Sequence, residues 1–332
     1  MSCVVLWGRR APGRAARADT CRNSAPPMPP WQRRGMTQPV LGAWTPIAAA
    51  IVGIASAHRG RPSPCSRRRR RPPPPPPPPN RIAFIPFLCA GDPDLDTTEE
   101  AVRRLDRLGA DVIELGVPYS DPLADGVVIH TAATRALQRG TTLDAVIAMV
   151  SRVSPTVTAP LVLFTYFNPI VRRGMDTFCA QIKAAGASGL LVPDIPLEET
   201  PAIRAACDKA GLELVLLATP TTPKSRMAEI ARASQGFVYL VSVTGVTGVR
   251  AGGVEARVGG LVEELHAVTD KSVAVGFGVS KPEDAQRIAA WGAEGVICGS
   301  ALVKALGEAA TPQQGLDAME ALAKGLREAI PK

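Results

Sequence analysis

Eight short, almost uninterrupted apolar runs, separated by amphipathic stretches, constrain this 332-residue chain more than any other feature. All eight lie after residue 80. They read IAFIPFL (82–88), DVIEL (111–115), LVLFTYF (161–167), GLLVPD (189–194), LELVLLA (212–218), FVYLVS (237–242), SVAVGF (272–277) and EGVICG (294–299). A strand that is apolar along its whole length must be covered on both faces, and only helices packed on a parallel sheet give that cover. The intervening segments, such as 97–110, 176–187, 198–211, 258–268 and 281–293, have the polarity pattern of such helices. Gly109, Gly186, Gly211 and Gly292 stand where each helix must stop before the next strand, which favours a residue free to take positive φ. Eight strand–helix units in about 250 residues predict a (β/α)8 barrel, a TIM barrel, over 81–332. An open doubly wound sheet is the alternative. The first strand, however, runs into LCAGDPD (88–94), which is not the glycine-rich turn that such sheets use to bind dinucleotides.

The first 80 residues obey different rules. They hold fourteen arginines, no lysine and a single acid, Asp19, so the net charge of +8 belongs to them and the remainder is mildly acidic. A nucleic-acid-binding role for the folded part therefore loses its electrostatic support. Five arginines (67–71) followed by eight prolines (72–79) cannot pack a core and predict an extended segment. Leu41 to Ala57 is apolar, but it is short for a membrane span and contains Pro46. The composition predicts a disordered leader over 1–80, either an organelle transit peptide or the product of a misplaced gene start. Seven scattered cysteines, none in a CxxC spacing, fit reduced thiols, and three histidines at unrelated positions argue against a zinc site.

In a barrel of this kind the turns after strands 7 and 8 are the usual phosphate sites, and here they are GFGVS (276–280) and CGSA (298–301). Glycine lets the backbone approach an anion, and the next helix offers unpaired N–H groups. The same glycines would also serve a plain tight turn. Glu114 lies inside the second strand on the face shared with Val112, opposite Ile113 and Leu115. A carboxyl there is either an acid/base of raised pKa or a buried group bonded to a structural partner. Asp121 and Asp125 in GVPYSDPLADG, and Asp194 in VPDIP, are either functional or turn and cap residues.

Six segments in order, FIPFLCAGDPDLD, ADVIELGVPYSDPLADG, GLLVPDIPLEE, YLVSVTGVTGVR, GFGVSKPEDA and GVICGSALVK, resemble the alpha subunit of tryptophan synthase from about Arg81 to the C-terminus. The resemblance implies retro-aldol cleavage of indole-3-glycerol phosphate to indole and glyceraldehyde 3-phosphate. It assigns Glu114 as the acid/base and Asp125 as the partner of the indole N–H. It also implies that Phe87, Phe164, Tyr166, Tyr239 and Phe277 line the indole pocket, and that Gly248, Gly278, Gly299 and Ser300 hold phosphate. The stretch 243–253 would be a lid that brings Thr247 near Asp125. No cofactor or metal is implied for this subunit. Pyridoxal phosphate belongs to the beta subunit, the implied partner in an alpha2beta2 complex, which loops carrying Pro118, Asp121 and Pro196 would face. Two other readings share the motifs: a stand-alone lyase releasing free indole, and a silent activator of the beta subunit, which the retained Glu114 and Asp125 count against. A plant-type relative would make the leader a chloroplast transit peptide; without import the enzyme would be cytoplasmic. Cys89, Val127 and His130 stand where threonine, proline and glutamine are usual. The family's short helix that plugs the barrel floor is expected just before the first strand, where the Arg/Pro run stands instead, so a less stable barrel with exposed apolar surface is expected.

Overall fold

The fully apolar runs close on themselves. In the computed structural model, which describes residues 46–52, 81–242, 251–276 and 278–331, eight parallel strands form a closed barrel in the order β1 to β8. They are β1 (Ala83–Cys89), β2 (Ile113–Gly116), β3 (Leu161–Phe164), β4 (Gly189–Leu191), β5 (Glu213–Ala218), β6 (Val238–Val241), β7 (Val273–Gly276) and β8 (Gly295–Cys298). The ring closes through β1 and β8, with Ala83 opposite Gly295 and Ile85 opposite Ile297. All eight predicted strands are present, so the open-sheet alternative is excluded.

Alternation sorts the strand residues into two cores. Outward-facing Phe84, Leu88, Ile113, Leu115, Leu163 and Leu190 pack beneath the surrounding helices. Inward-facing Ile85, Phe87, Val112, Val162, Leu191 and Ile297 fill the barrel itself. The placement of Val112 opposite Ile113 and Leu115 is as the period-two pattern requires. The four glycines expected to end helices have positive φ, from 73° at Gly211 to 102° at Gly186. No helix among the described residues is long and apolar enough to cross a membrane.

The floor of the barrel differs from expectation. A helix within the leader, α1 (Pro46–Val52), belongs to the same compact unit as the barrel, Trp44–Lys332. Ile47 and Ile51, one turn apart, are 0% and 1% exposed and pack with Ala83, Val162, Leu191, Val215 and Phe237 in the inner core. The Ile47 N–H donates to Glu213 Oε1 at 3.0 Å, which satisfies one of the donors that a helix start leaves open. Arg81 donates to the Ala50 carbonyl at 3.2 Å and pairs with Asp111, stitching α1 to the entry of β1. At Gly189 a side chain would strike Ile47 Cδ1, so the absence of one makes the socket. The expectation of an unplugged barrel with exposed apolar surface is therefore overturned. The plug lies before the Arg/Pro run rather than in its place, within the apolar stretch of the leader. The rest of the leader lies outside the described residues.

In the full-length chain, Ile47→Ala and Ile51→Ala are each expected to lower stability by about 2–5 kcal/mol. Urea unfolding should give a lower midpoint at unchanged slope. Midpoints equal to the parent's would mean that the floor is closed without α1.

Candidate active site

The polar groups come from the interior of two strands, β2 and β6, and from the turns that follow the strands. Glu114 is the second residue of β2, and its alternation points it into the barrel, where it is 0% exposed. In the β1–β2 register it stands opposite Phe87, whose ring meets Phe164 edge-on at 5.5 Å. Neither carboxylate oxygen of Glu114 has a hydrogen-bond partner among the described residues. Burial alone pushes its pKa from 4.5 up to about 8. The structural alternative, a buried Glu held by a fixed partner, is thus not what these residues form.

Asp125 sits in the turn from β2 to α3 (Val127–Gln138). Its Oδ2 accepts a hydrogen bond from the Tyr166 hydroxyl at 3.0 Å. Burial pushes its pKa to about 6, against the opposing effects of the Tyr166 hydrogen bond and of His130. Tyr239, on β6 and 4% exposed, has its hydroxyl pushed well above the usual range, first by burial and then by the negative fields of Glu114 and Asp125. One phenol therefore senses both carboxyl groups, and the barrel brings them to the same end.

The phosphate-type turns flank this end. Gly278 has φ 82° and is exposed. Gly299 precedes α11 (Ser300–Gly307), whose first residue is exposed. A side chain at Gly299 would meet Phe87 at 3.4 Å, so this turn abuts the aromatic wall beside Glu114. A helix start next to a buried carboxyl and an aromatic pocket suits a ligand with an anionic tail and a flat apolar head. Among the described residues no three His, Cys, Asp or Glu side chains are grouped to hold a metal ion.

The family profile described as "Tryptophan synthase alpha chain" matches residues 78–331. The chain belongs to the tryptophan synthase alpha chain family. The tryptophan synthase alpha chain of Picosynechococcus is 58% identical over 248 residues, covering 75% of this chain and 93% of that one. The Arabidopsis thaliana tryptophan synthase alpha chain is 54% identical over 250 residues, 75% of this chain and 90% of that one. Among solved structures, one of the tryptophan synthase a2b2 complex from Pyrococcus furiosus superposes with a TM-score of 0.70 at 38% identity, covering 74% of this chain and 98% of that one. A Mycobacterium tuberculosis tryptophan synthase gives 0.69 at 38%, over 76% and 93%.

Of the residues expected from the sequence resemblance, Glu114 and Tyr239 lie within β2 and β6, Phe87 lies near the C-terminal end of β1, Asp125, Tyr166, Gly278 and Gly299 lie in the turns that follow strands, and Ser300 opens the helix after β8. Thr247, Gly248 and Phe277, with residues 243–250 of the expected lid, lie outside the described residues. Asp194 takes the bland role: its Oδ1 accepts the Phe167 N–H at 2.9 Å and caps α5 (Phe167–Arg173). Asp121 is exposed. Sequence reasoning missed the pair of buried Asp92 with half-buried Arg135, 2.8 and 2.6 Å, which ties α3 to the turn after β1. It also missed Tyr119, whose ring stacks on Tyr166 at 5.1 Å. No local pattern marks either one, because both partners are distant in sequence.

A raised carboxyl pKa means that the folded state holds its proton longer than the unfolded state, so the group destabilises the fold progressively as pH climbs from 4.5 to about 8. The stability of Glu114→Gln relative to the parent should therefore increase by about 3 kcal/mol between pH 5 and pH 8. Urea unfolding at both pH values measures it. A difference independent of pH would place Glu114 in a solvated or paired site.

Proposed function

We propose that this chain is a carbon–carbon lyase that splits indole-3-glycerol phosphate into indole and glyceraldehyde 3-phosphate in tryptophan biosynthesis. One observation carries the reading. Two carboxyl groups at one end of the barrel differ in proton affinity, Glu114 near 8 and Asp125 near 6. Near neutral pH the first keeps its proton and the second is ionised, the division of labour that a combined acid and electrostatic stabiliser needs.

In the reaction Glu114 delivers its proton to C3 of the indole ring. Positive charge then spreads to the ring nitrogen, and the ionised Asp125 facing that N–H gains most as the charge grows. The bond from C3 to the side chain breaks. Its electron pair restores the aromatic indole, and the adjacent hydroxyl becomes the aldehyde, returning its proton to Glu114. The proton balance closes on one residue. Phe87, Phe164, Tyr166 and Tyr239 would wall the ring, with Phe277 joining them, while Gly248, Gly278, Gly299 and Ser300 would hold the phosphate. Closure of the 243–253 lid over the site, with Thr247 beside Asp125, would exclude water. No step calls for a cofactor in this subunit.

Loss of activity in Glu114→Gln by about 10²–10⁴ in kcat, with substrate still bound, is the expected outcome. Asp125→Ala should lose about 10²–10³. For the parent, kcat/KM should fall below about pH 6 as Asp125 takes a proton, and above about pH 8 as Glu114 loses one. Substantial single-turnover cleavage by Glu114→Gln would reject the assignment.

The same reading includes a partner and an address. The partner is a tryptophan synthase beta subunit carrying pyridoxal phosphate, in an alpha2beta2 complex, and Leu123 and Val127, 92% and 82% exposed beside Asp121, suit a covered face. The address is the chloroplast stroma, with the leader as transit peptide. Because Ile47 and Ile51 are inner-core residues, the cut falls before Pro46 and not at residue 80. Protein isolated from its natural source should co-purify with the beta subunit and begin upstream of Pro46, as N-terminal sequencing would read. A start beyond Val52 would refute the boundary.

A further inference from the structure

Asp125 lies in a ten-residue turn, 117–126, with two prolines and a closing glycine, and a carboxylate on such a turn is not placed by its own backbone. The turn is instead wrapped round one side chain. Tyr166 directly precedes α5, and its hydroxyl is gripped from the far end of the turn. It accepts the Ala124 N–H at 3.0 Å and donates to Asp125 Oδ2 at 3.0 Å. From the near end, Tyr119 lays its ring on that of Tyr166, with centroids 5.1 Å apart and planes 24° apart. Asn168, in the first turn of α5, donates to the Tyr119 hydroxyl at 2.9 Å and fixes the outer ring. Three points of one turn are thereby fastened to the start of α5, and the last of them is the carboxylate.

We propose that Tyr119, Tyr166 and Asn168 form a clasp that positions Asp125 for the reaction, with Tyr119 and Asn168 acting as positioning residues from outside the substrate pocket. The inference rests on the lyase reading given above. Its physical basis is preorganisation: a stabilising charge is effective only if it already stands where charge will develop, and a free turn would lose that placement to backbone entropy. Tyr166 is the one hydrogen-bond donor to the Asp125 carboxylate among the described residues. Of the other titratable groups nearby, His130 on α3 favours the ionised carboxylate through its charge, while the field of Asp125 itself reaches Cys89 on β1 and Tyr239 on β6. Removing the phenol therefore removes the interaction that most directly favours the ionised carboxylate.

The test has two readouts. First, the carboxyl carbon of Asp125 is titrated by NMR in the parent and in Tyr166→Phe, which requires no activity. Its midpoint should move up by about one pH unit, the scale of one charge-assisted hydrogen bond. Second, in turnover assays Tyr166→Phe and Tyr119→Ala should lower kcat about tenfold or more while KM changes less than about threefold. The acid limb of kcat/KM should move up with the NMR midpoint. Tyr119→Phe, which keeps the stack and loses only the Asn168 bond, should recover part of the rate that Tyr119→Ala loses, the remaining deficit being the share of Asn168. A Tyr166→Phe midpoint equal to the parent's, or losses confined to KM, would overturn the clasp and leave Tyr166 a wall of the pocket. Should Tyr166→Phe fail to fold, the Tyr119 pair decides, since Tyr119 is only half-buried. If the parent itself lacks lyase activity, the lyase reading fails while the NMR midpoint still reports on the clasp.

Discussion

A carboxyl group sealed among aromatic and aliphatic side chains, with no donor to it among the described residues, is the feature on which the rest of the molecule turns. Glu114 owes its place to the two-residue period of β2, and its proton affinity to the apolar filling of the barrel. Water there would solvate the carboxylate and return its pKa towards the ordinary value. The packing that makes the barrel a solid body therefore also sets the chemistry at its mouth. Phe87 and Phe164, packed edge-on in the inner core, are part of that filling.

The polar groups around Glu114 are arranged by elements that do not belong to its strand. Asp125 is held through Tyr166, which joins β3 to α5, α3 is anchored to the turn after β1 through Arg135 and Asp92, and the Gly299 turn abuts Phe87 before α11. Each is a tertiary contact between chain segments far apart in sequence. The active end is thus assembled from turns that fix one another, while the strands supply a rigid base.

This division explains what the sequence made legible. The eight strands were plain from apolar runs that only a doubly covered sheet can use, and Gly109, Gly186, Gly211 and Gly292 marked helix ends because positive φ is costly for other residues. Glu114 was legible as a carboxyl inside a strand, and family resemblance, rather than chemistry read locally, singled out Asp125 from Asp121 and Asp194. The lack of a hydrogen bond to Glu114 among the described residues could not be read, since it depends on every neighbour at once. Tyr166 was legible as an aromatic of the pocket, but its bond to Asp125, 41 positions away, was not. The role of α1 was hidden for a different reason: a seven-residue helix with two isoleucines carries too little pattern to stand out in a leader of alanine, arginine and proline.

The position of α1 has a consequence for how the barrel is kept closed. Its two isoleucines belong to the same chain as the wall they seal, so the seal is intramolecular and its occupancy depends on effective concentration rather than on affinity alone. Cleavage of the chain between Val52 and Arg81 would leave every strand intact and yet turn floor closure into a bimolecular equilibrium. The stopper would then drain away on dilution.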